Sequence, residues 1–156
     1  MFDMIRKFVG EINEAEEPAG IVHSQQELAQ AALMYSVIAV DGVIRREERE
    51  RMAEILARQF SLSAEETEHL ASAARDAEHE AVDLYKFTSK LVHVLEEDER
   101  IGIIENLWEM VFADGIVHEL EDNAVWRIAE LLGVSSRDRM NLKQRVWERT
   151  NGGSEG

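Results

Sequence analysis

The chain of 156 residues contains no cysteine, which excludes disulfides, thiolate metal sites and cysteine nucleophiles. It has a single proline, Pro18, and few β-branched runs. Little therefore interrupts helices and little favours strands. Basic residues are also scarce: Lys plus Arg number 17 against 32 Asp plus Glu, a formal net charge of −15. Nucleic-acid affinity rests on cationic contacts to phosphate, so a DNA- or RNA-binding role is excluded. The same field attracts cations and basic protein partners. No apolar run is long enough to span a bilayer, so stable membrane insertion is not expected. The N-terminal "MFDMIRKFVGEI" is broken by Asp3, Arg6 and Lys7 and does not read as a signal peptide. Together with the missing cysteine, this gives a cytoplasmic expectation. Nothing in the pattern sets an oligomeric state.

What is present is apolar and periodic. Hydrophobic residues make up 45% of the chain, enough for one globular domain with a substantial core. Phe2, Ile5, Val9 and Ile12 form one face of a short amphipathic helix, followed by the acidic linker "NEAEEPAG". Residues 1–20 are read as a strap packed on the domain; the alternative is a surface anchor.

The main domain is expected over 24–149. "SQQELAQAALMYSVIAV" places Leu28, Ala31, Tyr35 and Ile38 on one stripe behind the cap Ser24. "RREERERMAEILARQF" turns Met52, Ile55, Leu56 and Gln59 inward, and "LSAEETEHLASAARDAEHE" opens with a capping box of Ser63 and Glu66. "DLYKFTSKLVHVL" directs Leu84, Phe87, Leu91 and Val94 inward. "EEDERIGIIENLWEMVFA" does the same with Ile101, Ile104, Leu107, Trp108 and Val111. "ELEDNAVWRIAELLG" and "SSRDRMNLKQRVWERT" make seven helices after the strap, with Trp108, Trp126 and Trp147 assigned to the core. The end of the chain, 150–156, is expected to be a disordered tail.

A repeat runs through this pattern. Asp41 and Asp114 stand 73 positions apart, and at that offset Leu28 meets Ile101, Ala31 Ile104, Tyr35 Trp108 and Ile38 Val111. Glu48 falls on Glu121. The offset then drops to 72, pairing Phe60 with Leu132, Leu62 with Val134 and Ser63 with Ser135. The fold expected is an all-α bundle of about seven helices built on a duplicated three-helix unit. "DLYKFTSKLVHVL" has no second copy and joins the halves.

Each copy carries Asp-Gly followed by Glu at a fixed distance: "VDGVIRREE" and "ADGIVHELE". Two readings apply. In the first, Gly42 and Gly115 end their helices in the left-handed region, Ile44 and Val117 pack back on the core, and the next helices begin near Arg45 and His118. Glu48 and Glu121 then stand at the third helical position and reach back to the cap N–H. In the second, the converging carboxylates hold a hard divalent cation, Ca²⁺ or Mg²⁺. The ligands would be Asp114 and Glu121, helped by Glu119 or Asp122, with a weaker counterpart at Asp41 and Glu48. Arg45 and Arg46 weaken that first copy. The loop is not an EF-hand, because the positions before each Asp are apolar. No HExxH, Ser-His-Asp order, phosphate loop or dinucleotide fingerprint is present, so no enzyme is expected. Glu66-x-x-His69 has no second pair and reads as a solvated helix face.

"AVDGVIRREE", "DLYKFT", "LWEMVFADGIVHELEDNAVWRIAELLGVSSRD" and "LKQRV" resemble the tellurite-resistance TerB-like family, from about Leu28 to Val146. The resemblance implies a compact all-helical domain of bacterial, cytoplasmic, stress-related type, whose clustered acidic residues bind divalent metal. Matched by motif, those residues are Asp41, Glu48, Asp114 and Glu121. The alternative is a helical interaction module whose acidic face docks a basic partner and whose carboxylates only cap helices.

Overall fold

The computed structural model describes residues 21–80 and 84–151. The amphipathic segment 1–20 and residues 152–156 lie outside them. Among the described residues seven helices follow one another: α1 (Gln25–Ile38), α2 (Arg46–Phe60), α3 (Ala64–Glu80), α4 (Tyr85–Val94), α5 (Glu97–Val111), α6 (Glu119–Leu131) and α7 (Ser136–Thr150). The last helix runs through Thr150.

The caps explain most of the boundaries. Ser24 and Glu27 close a capping box on α1, Ser63 and Glu66 on α3, and Glu96 with Glu99 on α5. Each box satisfies two backbone donors that a helix start leaves free. Ser135 accepts from the Asp138 N–H at the start of α7.

α1 is the hub. Ala29, Ala31, Ala32, Leu33, Met34, Val37 and Ile38 are all buried, and the small alanines let α3 and α4 approach it closely. α5 is the hub of the second half, burying Ile103, Ile104, Leu107, Trp108, Met110 and Val111 and packing most against α7. α2 lies on α5, and α6 touches both α1 and α5. The halves therefore share one core instead of building two.

Backbone detail supports the duplication. Gly42 and Gly115 have φ of 82° and 78°, and their N–H groups donate to Ala39 and Phe112 carbonyls at 3.0 and 2.9 Å. Those four positions match at the offset of 73. At the far end of α2 and α6 the offset is 72. Leu62 N–H donates to the Ala57 carbonyl at 3.0 Å and Val134 N–H to the Ala129 carbonyl at 2.9 Å. Each is a six-to-one bond closing a helix end over one left-handed residue, Ser61 or Gly133. A single-residue deletion between the two copies accounts for the change of offset.

Several inward assignments fail. Val94 is 64% exposed, and Leu95 takes its place at the edge of the core. Gln59 lies at the surface and bonds Gln30 and Asn106 there. Trp126 is 41% exposed under the Arg139 guanidinium, although Trp108 is fully buried and Trp147 packs edge-on against Phe112. Ile44 and Val117 do not pack back on the core. Both are exposed, as are Val43 and Ile116 beside them.

Candidate metal centre

The two Asp-Gly turns end α1 and α5 and lead into α2 and α6. In each, the Asp side chain fixes the turn. Asp41 Oδ1 accepts from Val43 N–H at 3.1 Å, and Asp114 Oδ1 from Ile116 N–H at 3.1 Å. These are Asx turns, in which the side chain takes a hydrogen bond that the reversing chain would otherwise leave open. A second oxygen of each Asp holds the residue four positions on. Asp41 Oδ2 accepts from Arg45 Nη2 at 3.0 Å, and Asp114 Oδ2 lies 2.8 Å from His118 Nε2. Arg45 and His118 are the N-caps of α2 and α6 and occupy equivalent places in the repeat. The unit is therefore Asp-x₃-Arg/His-x₂-Glu, used twice.

Glu48 and Glu121 stand at the third position of their helices, where Glu27, Glu66 and Glu99 each reach back to a cap N–H. Glu48 and Glu121 do not. Both are 0% exposed; neither oxygen of Glu48 has a hydrogen-bond partner, nor has Oε1 of Glu121. Glu121 Oε2 accepts from Arg45 Nη1 at 3.3 Å. The capping explanation thus accounts for the Asp residues, as turn formers, but not for the Glu residues. A buried carboxylate oxygen without a donor costs several kcal/mol in order-of-magnitude terms unless a proton or a cation stands against it.

The two copies meet in one cluster rather than forming two separate sites. Glu48 from α2, and His118 and Glu121 from the start of α6, each present a donor atom within 4.8 Å of the others. Arg45 joins the rest. It reaches Asp41 at 3.0 Å, Glu121 at 3.3 Å and Asp114 at 4.0 Å. The positions expected from the second copy divide. Asp114 and Glu121 belong to the cluster, whereas Glu119 is exposed and Asp122 pairs with Lys143 at 2.6 Å. Of the first copy, Asp41 and Glu48 belong, and Arg46 points away to pair with Glu50 at the surface.

The electrostatics follow the burial. Desolvation, and then the facing Glu121, push the Glu48 carboxyl up to about 9. Burial also raises Glu121, against the opposing pull of its neighbours. The Arg45 guanidinium holds Asp41 below the usual carboxylate range, and Asp41 in turn raises Arg45. Two buried carboxyls that face each other disfavour the doubly charged state.

Sequence reading passed over His118 and took Arg45 only as a hindrance. The signal was available: the 73-residue offset that pairs the Asp and Glu residues also pairs Arg45 with His118.

A family model, "Tellurite resistance protein TerB", matches residues 27–144. Neither a curated protein nor a solved structure matches the chain. No helix among the described residues is long and apolar enough to cross a membrane. The match spans every helix that builds the cluster and most of the chain, and it agrees with the all-α bundle and its paired Asp-Gly turns: the chain belongs to the tellurite-resistance TerB family.

Proposed function

We propose that this domain binds a divalent cation where its two repeats meet, as a non-enzymatic component of a stress response of the tellurite-resistance type. Glu48, Glu121 and His118 hold the ion. Asp114 orients His118, and Asp41 keeps Arg45 in place. The observation that carries this reading is the set of buried, donorless oxygens on Glu48 and Glu121. With Glu48 pushed up to about 9, the facing pair carries a proton at neutral pH. A divalent ion with carboxylate ligands takes the place of that proton. The ion links α2 to α6 and therefore the first half of the domain to the second, so binding is a brace across the pseudo-symmetry and not an attachment at the surface.

The test is the melting temperature of chelator-stripped protein with and without divalent cations. Binding to the native state alone stabilises it by RT ln(1 + [L]/Kd), about 2.7 kcal/mol at a hundredfold excess over Kd. Glu121→Gln should abolish the shift. Identical melts of stripped and cation-loaded wild type, with no heat of binding, overturn the proposal.

The competing reading, an acidic module that docks a basic partner, is supported by the exposed Val43, Ile44, Ile116 and Val117, which flank the cluster symmetrically. It gives no role to the buried Glu48. A partner lost at high salt but retained in chelator would favour it.

A further inference from the structure

The ion's identity rests on the cation site just proposed. We infer that the site selects a borderline transition ion of the Zn²⁺ or Co²⁺ class over Ca²⁺ and Mg²⁺, and that His118 is the residue that decides it.

The donor set is the first ground. Glu48, His118 and Glu121 bring two carboxylates and one imidazole within 4.8 Å of one another. Ca²⁺ requires six to eight oxygen ligands in an open shell, and Mg²⁺ keeps several waters in an octahedral one. Three converging side chains, two of them 0% exposed, offer fewer oxygens than either ion takes. Two carboxylates and one imidazole suit an ion of low coordination number that accepts nitrogen.

The support around His118 is the second ground. Its Nε2 lies 2.8 Å from Asp114 Oδ2, and Asp114 is itself fixed by the Ile116 N–H. A carboxylate on a ligating histidine sets the ring orientation and raises its basicity. The turn thus builds a carboxylate–histidine pair at the entrance to the buried glutamates.

The asymmetry of the repeat is the third ground. Where the second copy has His118, the first has Arg45, a permanent cation with no lone pair to offer. Arg45 is hydrogen-bonded to Asp41 and Glu121 and occupies the side of the cluster that a symmetric second ion would need. One ion is therefore expected, not two.

The experiment titrates full-length, chelator-stripped protein with Zn²⁺, Co²⁺, Ca²⁺ and Mg²⁺ by calorimetry. The wild type should bind one equivalent of Zn²⁺ or Co²⁺ at least about tenfold more tightly than Ca²⁺. His118→Asn should remove that preference while leaving Ca²⁺ binding and a cooperative melt. His118 also holds Asp114, so the variant could unfold; two wild-type readouts decide without it. The Co²⁺ absorption spectrum should show low-coordinate geometry, and the His118 ring resonances should shift on adding Zn²⁺. His23→Gln with His69→Gln should change none of this, because that pair lies elsewhere, with the two rings joined at 2.8 Å. Ca²⁺ binding equal to or tighter than Zn²⁺ overturns the inference and leaves the cation site standing. Zn²⁺ binding lost in the His23/His69 variant but kept in His118→Asn overturns it as well. If none of the four ions binds, the cation site falls, and this inference with it.

Discussion

Arg45 Nη1 lies 3.3 Å from Glu121 Oε2, joining the first Asp-Gly turn to the helix that follows the second. The pair spans the two repeats, and Glu121 is completely buried. Removing one partner of a fully buried pair costs about 3–5 kcal/mol, because a charge is left uncompensated. Arg45 retains some solvent contact, so the expected loss for Arg45→Met without metal is smaller, about 2 kcal/mol. A saturating divalent cation should recover most of it by supplying the lost positive charge. Urea unfolding with and without metal measures both. A variant as stable as wild type without metal would show that Glu121 is already protonated and needs no guanidinium.

Much of this was legible in the sequence. Helix number, the Ser24 and Ser63 caps and the change of offset after Glu48 all follow from periodicity and capping chemistry, which act within a few residues. The positions of Asp41 and Asp114 were legible for the same reason, since an Asx turn is local. What the sequence concealed is that the copies face each other. Asp41 and Glu121 are far apart in the chain, and only the packing of α2 and α6 around the α1–α5 core brings them to one guanidinium. The sequence leaves Glu48 open between a cap and a ligand because its spacing is identical to that of Glu27 and Glu66. The difference lies in burial, which depends on the helix opposite. Ile44 and Val117 were assigned to the core by hydrophobicity alone, and turn geometry carries them outward instead.

The pH dependence follows from Glu48. Its folded value, about 9, stands above its unfolded value of 4.5. Between those limits the native state binds more protons than the unfolded one, so stability without metal falls as pH rises. The slope is at most about 1.4 kcal/mol per pH unit for one proton. Asp41, held low by Arg45, acts in the opposite sense and removes stability only as pH falls through the acid range. Stability should therefore peak in mildly acidic solution and decline toward pH 9. Glu48→Gln should flatten the decline and raise stability at pH 8, because an amide is neutral without the proton that Glu48 must take up on folding. Metal affinity should rise over the same interval, since the ion competes with the proton. Melting curves at stepped pH check the first two claims and calorimetry the third; a Glu48→Gln decline as steep as wild type would assign the proton elsewhere.

Asp41→Asn and Asp114→Asn should separate. Asn can keep the Asx bond at either turn. At position 41 the substitution also weakens a charge-assisted bond to Arg45 at 3.0 Å, a loss of about 1.5 kcal/mol. At position 114 the hydrogen-bond partner is the His118 imidazole and the Arg45 guanidinium is farther off, at 4.0 Å, so the cost without metal should stay below about 1 kcal/mol. The order reverses when cation binding is measured, because Asp114 positions His118 whereas Asp41 acts only on Arg45. Chemical denaturation and calorimetry on the same two variants test the crossover, and a parallel ranking in both would remove Asp114 from any role in the site.

The ends of α2 and α6 give a prediction independent of the cluster. Both close with the same six-to-one bond, yet the left-handed residue is Gly133 in one copy and Ser61 in the other, with φ of 78° and 56°. A side chain in that region costs about 1 kcal/mol, because Cβ crowds the following carbonyl. Ser61 donates no side-chain hydrogen bond among those the described residues make, so the hydroxyl offers little in return. Glycine there forgoes the penalty but gives the unfolded chain more freedom, which offsets part of the gain. Ser61→Gly should therefore stabilise the domain by about 0.5 kcal/mol. Gly133→Ser should destabilise it by more, since a Cβ at 133 would also come within 3.1 Å of the Arg100 guanidinium. That guanidinium donates to the Leu132 carbonyl at 2.7 Å and would have to move. Melting temperatures of the two variants test this reciprocity. A destabilised Ser61→Gly would mean that the serine holds its turn by an interaction its copy in the second half does without.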